Sequence, residues 1–312
     1  MKKTAIILLT SFLSFQLFAQ SSSSVQIVKD RTFELGLSIR GHTSALPAPI
    51  GNIYPYGKYS GEDPIWLVAQ WGSKNIFSSP YPVTSNDTII YENRAKRLYF
   101  IADENGKKKV GLEVRASKEY TAPRKEGEEW THLLIEQGFT DKVMLKDLSC
   151  LRYNMGARLL FCENRMNGEF NGQLHTAQIT LFITIQNSND ESLNYVDFFW
   201  FGLPLYDYRY EEIPEYAAED LGKEDATRKF IYTVASSQLF SKSMHSMEEI
   251  IIDKDIYPLI ENAFKTAQEK GYMKNCSWDD LSITSLNVGW EVPGTFDCGI
   301  LIDTPSLVAT FN

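Results

Sequence analysis

The sequence predicts a mostly β protein whose antiparallel sheets pack as a sandwich or jelly roll, and two patterns support this fold class. Segment 177–186 has apolar residues at odd positions and, apart from Phe182, polar residues at even positions, so one face of this strand belongs in a core. Short runs of aromatic and β-branched residues recur along the chain, separated by turn residues such as those at 167–168 and 187–190 rather than by helices. Many strands at such spacing are typical of two packed antiparallel sheets.

The other strands are expected wherever such a run occurs between turn residues. They lie at 33–39, 65–71, 88–91, 97–101, 110–115, 130–136, 158–163, 195–202 and 230–235. Proline and glycine interrupt segment 42–59 too often for a strand, and segment 211–228 is acidic and polar, so both are expected to be long loops.

One amphipathic helix is expected near residues 255–270. Apolar residues in this segment are spaced three and four apart, which places them on one helical face. Asp253 or Asp255 can cap the start, Pro258 stands in the first turn, and Gly271 follows the last turn. The helix is therefore expected to lie with its apolar face on a sheet.

The N-terminus has the pattern of a cleavable export signal. Lys2 and Lys3 precede an apolar run at 5–18 that is short for a membrane span, and Ala19-Gln20 offers a cleavage point. We expect residues 1–19 to be a signal peptide, 20–312 to be a single β-sandwich domain, and the mature protein to be periplasmic or secreted. The alternative is an ordinary N-terminal helix or membrane anchor.

The charge balance restricts the partners. The formal net charge is −9, which argues against nucleic acid or an anionic membrane, because both bind basic surfaces. No later apolar run is long enough to span a membrane. A neutral ligand remains compatible with this composition.

The four cysteines of the chain could form disulfides or remain free thiols. Disulfides fit an exported protein, and Cys150 with Cys162, around an expected turn at 154–156, and Cys276 with Cys298 are the first pairings to consider. Buried free thiols are the alternative, because cysteine also packs as a small apolar residue.

The end of the chain has a distinctive order of elements. The expected helix is followed by a strand at 281–291 that ends in Gly289-Trp290-Glu291, and then by a final strand near 298–307. This order resembles the closing segment of concanavalin A-like β-sandwiches of the lectin and glucanase group. It is similar to family-twelve endoglucanases, and also to secreted proteins of glycan-degrading bacteria.

The resemblance implies a role for Glu291 as the acid/base of a glycoside hydrolase. The family's nucleophile belongs to a Tyr-Glu-x-x-x-Trp pattern, but here Val196 stands four residues before Trp200. Asp197 is one residue further along, which in a strand means the opposite face. The sequence therefore departs from the family at the nucleophile.

Glycoside hydrolysis requires two carboxyl groups about 5 Å apart in retaining enzymes or roughly 6.5 to 9.5 Å apart in inverting ones. The catalytic candidates are Glu291, Asp197 and Glu163, and Glu136, Asp207 and Asp297 are further carboxylates to consider. The alternative for each is an ordinary solvated or ion-paired carboxylate.

Aromatic residues make up 13% of the chain, and sugars pack their CH faces on flat rings beside polar groups. The alternative is that these rings are sandwich core. The candidate ligand-binding residues are Trp200, Trp290, Tyr206, Tyr208, Arg209 and Trp71.

Three functional hypotheses follow. The first is a module that binds a polysaccharide or oligosaccharide on a concave, aromatic-lined face. The second is a glycoside hydrolase or lyase of the same fold that uses Glu291, and the third is a structural or assembly protein of the cell envelope. No cofactor is expected; a structural calcium ion could bind the turn at 187–191, for which a solvated turn is the alternative.

Overall fold

The computed structural model describes residues 23–41, 49–57, 61–78, 80–102, 106–221 and 226–312. These residues form two nine-stranded sheets and one α-helix. The expected signal peptide lies outside the described residues, as do parts of the expected loops at 42–59 and 211–228.

The first sheet is antiparallel throughout, and β15 pairs with the middle of β10, beside the main path of the sheet. Its strands, in spatial order, are β1 (Ser24–Gln26), β18 (Ser306–Phe311), β10 (Leu148–Asn164), β17 (Phe296–Asp303), β8 (Lys108–Arg115), β7 (Lys96–Ala102), β6 (Thr88–Glu92) and β5 (Val83–Ser85), with β15 (Ile250–Asp255) added.

The second sheet is also antiparallel, except that β12 pairs with β14 and β2 with β4 in parallel. Its order is β13 (Tyr216–Glu219), β14 (Phe230–Thr233), β12 (Phe198–Asp207), β11 (Gln178–Asn187), β16 (Leu281–Val292), β9 (Thr131–Met144), β4 (Trp66–Ala69), β2 (Leu37–Ile39) and β3 (Gly51–Ile53).

The apolar faces of the two sheets pack against each other. Ile179, Leu181 and Ile183, from the alternating segment, are fully buried between the layers. Trp290 of the second sheet donates a hydrogen bond from Nε1 to the carbonyl oxygen of Leu112 in the first sheet at 2.9 Å. The expected mostly β sandwich of two packed, largely antiparallel sheets is therefore confirmed.

The helix α1 spans Tyr257–Glu269, close to its expected position. Asp255 Oδ1 accepts a hydrogen bond from the Tyr257 amide at 3.1 Å, and Gly271 has the positive φ of +94° that ends many helices. Its apolar face packs on the sandwich, with Phe264 stacked on Phe199 at 6.4 Å.

Two segments expected to be loops contain short strands. Residues 216–219 form β13 at one edge of the second sheet, and residues 51–53 form β3 at the other. An edge strand pairs on one side only, and a strand this short needs no apolar alternation, so its sequence resembles a loop.

The expected turn at 154–156 is absent, because β10 continues through it. Cys150 and Cys162 therefore lie twelve residues apart on one strand, about 40 Å, which excludes a bond between them. Cys276 contacts Asn187 at the end of the second sheet, whereas Cys298 is in β17 of the first, so this pairing is also incorrect. All four cysteines are thiols in this structure.

Candidate functional site

The side chains of the second sheet that point away from the first sheet form its outer face. In β11 the core-facing residues are at odd positions, so Gln178, Thr180, Phe182 and Thr184 belong to the outer face. Strand partners in a sheet share a face. The register of β12 and β16 against β11, and of β9 against β16, therefore identifies the rest of this surface.

One end of the outer face carries a row of polar side chains, which we call the polar row: His132, Glu291, Gln178 and Asp207. Gln178 pairs with Glu291 on one side and with Asp207 on the other, and Glu291 pairs with His132. Gln178 Nε2 donates a hydrogen bond to Glu291 Oε2 at 2.9 Å. Four polar residues from four adjacent strands are therefore held side by side.

Asp207 is the most constrained member of the polar row. Its side chain is buried, and it accepts a hydrogen bond from the Thr176 hydroxyl at 2.7 Å. The Arg209 guanidinium binds both carboxylate oxygens, with Nε at 2.9 Å and Nη2 at 2.6 Å. This bidentate contact raises the pKa of Arg209 and fixes the position of the Asp207 carboxylate.

His132 is fixed at the opposite end of the row. Its ring stacks on Trp130 at 5.6 Å and meets the edge of Trp71 at 5.5 Å. Nδ1 lies 2.9 Å from the Trp130 carbonyl and 3.1 Å from the Trp71 carbonyl. Carbonyls only accept hydrogen bonds, so Nδ1 carries the proton. Trp71 thus orients His132 at the edge of the row.

The other end of the outer face carries three half-buried rings, which we call the aromatic patch: Phe182, Phe198 and Trp200. Trp200 lies 6.5 Å from Phe182 and 5.3 Å from Phe198. Gly202 is the strand partner of Phe182, and a Cβ on this glycine would come within 2.8 Å of the phenyl ring. The glycine therefore makes room for the ring on the face of the sheet.

A buried ion pair lies on the β9 side of the face. Glu136 Oε1 is 3.3 Å from Arg40 Nε, and both side chains are less than one-fifth exposed. Burial raises the pKa of Glu136, and the charge of Arg40 opposes this shift. Asn287 is the strand partner of both Glu136 and Phe182, so it connects this pair with the aromatic patch.

The structure does not bring the three catalytic candidates together. Glu291 is on the outer face, whereas Glu163 is on β10 of the first sheet, ion-paired with Arg165. Asp197 precedes β12 and binds Lys229 at 2.6 Å. The register places Asp197 beyond the far end of β11, at least about 27 Å from Glu291 at 3.3 Å per residue.

The aromatic candidates divide between the two sides of the sheet. Trp200 is on the outer face, and Trp71 is at its edge beside His132. Trp290 and Tyr206 do not line this face, because both are buried in the core. Tyr208 is half-buried, with its ring 4.7 Å from that of Phe296.

The physical reasons for the two buried rings differ. Trp290 immediately precedes Glu291, so the two side chains take opposite faces of β16. Tyr206 faces inward because a bulge at Leu205 shifts the register of β12 against β11.

Sequence reasoning did not select Phe182, Gln178 or His132 as site residues. Phe182 had a signal in the sequence, because it is the single apolar residue at an even position of the alternating segment. Gln178 and His132 had no such signal in the sequence, since their place in the polar row depends on strand register.

In the turn at 187–191 the two asparagine side-chain oxygens accept hydrogen bonds from the backbone. Asn187 Oδ1 accepts a hydrogen bond from the Asn189 amide, and Asn189 Oδ1 accepts one from the Glu191 amide, both at 3.0 Å. Within the described part of the chain, no group of three or more His, Cys, Asp or Glu residues is arranged to hold a metal ion. In the same part of the chain, no helix is long and apolar enough to cross a membrane.

The comparisons with known proteins find similarity in solved structures. No family model matches the chain, and no curated protein does. A family 12 xyloglucanase from Bacillus licheniformis matches with a TM-score of 0.41 at 10% identity, over 74% of this chain and 97% of the enzyme. The endoglucanase Cel12A from Rhodothermus marinus matches with a TM-score of 0.38 at 10% identity, over 72% and 93%.

A xyloglucanase domain from Sinorhizobium fredii, solved with cellobiose, matches with a TM-score of 0.37 at 9% identity, over 74% of this chain and 97% of that domain. At such identities and TM-scores these matches assign no activity, which has to be argued from this chain's own residues.

Proposed function

We propose that this protein binds a polysaccharide or oligosaccharide along the outer face of the second sheet. The observation that carries this proposal is the aromatic patch, in which three neighbouring rings, inclined to Trp200 by 51° and 66°, lie on the face that points away from the core. Flat, partly accessible rings offer the apolar contact that the CH faces of a sugar require.

The surroundings of the patch suit a polyhydroxylated ligand. Asn287 lies beside Phe182, and the Ser285 hydroxyl donates a hydrogen bond to Thr184 Oγ1 at 2.8 Å, so hydroxyl and amide groups stand next to the rings. These groups can exchange hydrogen bonds with sugar hydroxyls. The net charge of −9 favours a neutral glycan over an anionic one.

The test is Trp200→Ala, with affinity measured by isothermal titration calorimetry against soluble xyloglucan, xylan and mixed-linkage glucan. We expect binding of at least one glycan by the unaltered protein and a loss of about tenfold or more in the variant, which corresponds to about 1.4 kcal/mol. Tyr81→Ala is the matched control, because this ring is 91% exposed and precedes β5 of the first sheet.

Binding to none of these glycans, or equal affinity of Trp200→Ala and Tyr81→Ala, contradicts the proposal. Circular dichroism of both variants separates a loss of binding from a loss of fold.

A second candidate function is hydrolysis of the bound glycan, with Glu291 as the acid/base. The observation that favours it is that Glu291 and Asp207 flank Gln178 on the same face. Two strand spacings of about 4.8 Å put their Cα atoms about 9.6 Å apart. Inverting enzymes need roughly 6.5 to 9.5 Å between the carboxyl groups themselves, so this function requires both side chains to lean toward Gln178. Glu136 and Glu291 are less suitable, since four residues along the strand separate them by about 14 Å.

Release of reducing ends tests this second function. Glu291→Gln is expected to lose activity by about a hundredfold or more while keeping its affinity for the glycan, because the amide keeps the shape but cannot transfer the proton. Glu163→Gln, in the first sheet, is the control and retains activity. No reducing ends from the unaltered protein, or full activity in Glu291→Gln, excludes the hydrolase with this assignment.

The proposal includes export, with cleavage after residue 19 and function in the periplasm or outside the cell. The support is the basic start and short apolar run of the N-terminus. N-terminal sequencing of the protein from a bacterial periplasmic fraction is expected to begin at Gln20, and a cell-associated chain beginning at Met1 contradicts it.

A further inference from the structure

We propose that Cys162 and Cys298 form a disulfide that joins β10 to β17. The two residues are direct strand partners in the first sheet, where β10 and β17 pair antiparallel. Such partners have Cα atoms about 4.5 or 5.5 Å apart, depending on their place in the ladder. Both distances lie within the range of roughly 4.4 to 6.8 Å found in disulfides.

The orientation of the Cys162 and Cys298 side chains also favours a bond between them. Strand partners share a face of the sheet, and Cys298 lies in the core between the sheets while Cys162 packs against the same core. The bond can therefore form without a change in the backbone.

The remaining cysteines are separated from this pair and from each other. Cys150 is the strand partner of Thr310 in β18, and Cys276 contacts Asn187 at 3.4 Å at the end of the second sheet. The oxidised protein is therefore expected to contain one disulfide and two free thiols.

The reaction is an ordinary thiol–disulfide exchange with a small-molecule or protein disulfide. Both cysteine S–H bonds break, the S–S bond forms, and the two electrons and two protons reduce the oxidant to two thiols. A protein exported to an oxidising compartment meets oxidants of this class.

The burial of Cys298 predicts when the bond forms. Its side chain is fully buried, and burial raises the pKa of its thiol, so the reactive thiolate is suppressed in the folded protein. We therefore expect oxidation to be fast during refolding and slow once the two sheets have closed over the pair.

The experiment is peptide mapping by mass spectrometry of the full chain, refolded with oxidised and reduced glutathione and alkylated before digestion. The expected result is a linked peptide pair containing Cys162 and Cys298, with Cys150 and Cys276 alkylated. Alkylation of both Cys162 and Cys298, or a link of either to another cysteine, overturns the proposal.

Thermal unfolding provides a second measurement. A disulfide that closes a loop of this length is expected to raise the melting temperature by about 5 to 10 °C. Cys162→Ser should lose this increase under oxidising conditions and match the unaltered protein when reductant is present, whereas Cys150→Ser should keep it. If Cys162→Ser does not fold, the peptide map alone decides.

Discussion

Consecutive residues of each strand in the second sheet have opposite environments, one in the core and the next on the outer face. This alternation determines which side chains a ligand can contact. Trp290 is fully buried, whereas the next residue, Glu291, is half-buried on the outer face and bonded to Gln178. Because side chains alternate along a strand, each residue of the face comes with a core residue beside it. Variants of the outer face therefore have to be distinguished from variants of the core.

Glu136 has a pKa raised above its ordinary value of 4.5 by burial, and this has a consequence for the pH dependence of stability. The folded state binds this proton more tightly than the unfolded state does. The resulting stabilisation is complete below pH 4.5 and is lost as the pH rises through the raised folded pKa.

We therefore expect Glu136→Gln, which cannot ionise, to gain stability relative to the unaltered protein as the pH is raised from 4 to 7. Arg40→Met is expected to steepen the pH dependence of the protein that keeps Glu136, because it removes the opposing charge. Urea unfolding at several pH values measures both effects. A difference between Glu136→Gln and the unaltered protein that is constant with pH contradicts the explanation.

Lys96 and Glu119 form an ion pair whose side chains are completely buried. Lys96 Nζ also donates to the Asn75 carbonyl at 2.7 Å, and Glu119 Oε2 accepts from the amides of Lys74 and Asn75. The pair thus ties β7 to the loop after β4. Burial lowers the pKa of Lys96, and the adjacent carboxylate opposes this shift.

Lys96→Met leaves the Glu119 carboxylate buried without its counter-ion, and we expect a loss of about 3 to 5 kcal/mol in the free energy of unfolding. The double variant Lys96→Met/Glu119→Gln removes both charges and should recover part of this loss. Chemical denaturation compares them, and a single variant that loses less than about 1 kcal/mol is inconsistent with a buried pair.

The members of the site were predictable from the sequence to different degrees. Phe182 and Trp200 lie where strand alternation puts them, on the outer face. The inward position of Tyr206 was not predictable, because the bulge in β12 depends on pairing with β11. The polar row was not predictable either, since its four residues come from strands far apart in the chain and only their register brings them together.

The elements of the fold were predictable where they are long. Strands β7, β8 and β11 and the helix α1 have apolar periodicity over several residues, and the structure contains them within a few residues of their expected bounds. Short edge strands such as β3 and β13 lack that periodicity, and their pairing partner is what stabilises them.

Pairing between elements also shapes the aromatic patch. Gly202 of β12 lies opposite Phe182 of β11, and a Cβ at 202 would clash first with the Thr233 side chain of β14 and then with the phenyl ring at 2.8 Å. We expect Gly202→Ala to displace the ring and to weaken glycan binding by about tenfold while the protein stays folded.

Gly138→Ala is the matched control for this variant. Gly138 is in β9 of the same sheet, and a Cβ there would meet nothing within 4 Å. Calorimetric titration with the glycan that the unaltered protein binds compares the two. Equal affinities for the two variants would show that the arrangement of the patch does not matter for binding.

On the scale of the whole molecule, the second sheet serves both the core and the outer face. Its inner side chains join the layers, as the hydrogen bond from Trp290 to the Leu112 carbonyl shows, while its outer side chains carry the proposed site. A sandwich can in this way keep a stable core while one face is available for a ligand.

This division predicts different effects for two tryptophans of the same sheet. Trp290→Ala removes a fully buried ring and leaves the Leu112 carbonyl without its partner, so we expect the free energy of unfolding to fall by about 3 to 5 kcal/mol. Trp200→Ala, on the outer face, is expected to cost clearly less than Trp290→Ala, because its ring is partly exposed and makes no hydrogen bond to the other sheet. Urea unfolding with reductant present measures both without a contribution from a disulfide. Similar losses for the two variants would mean that the outer face is itself packed like a core, and the site proposed on it would then be wrong.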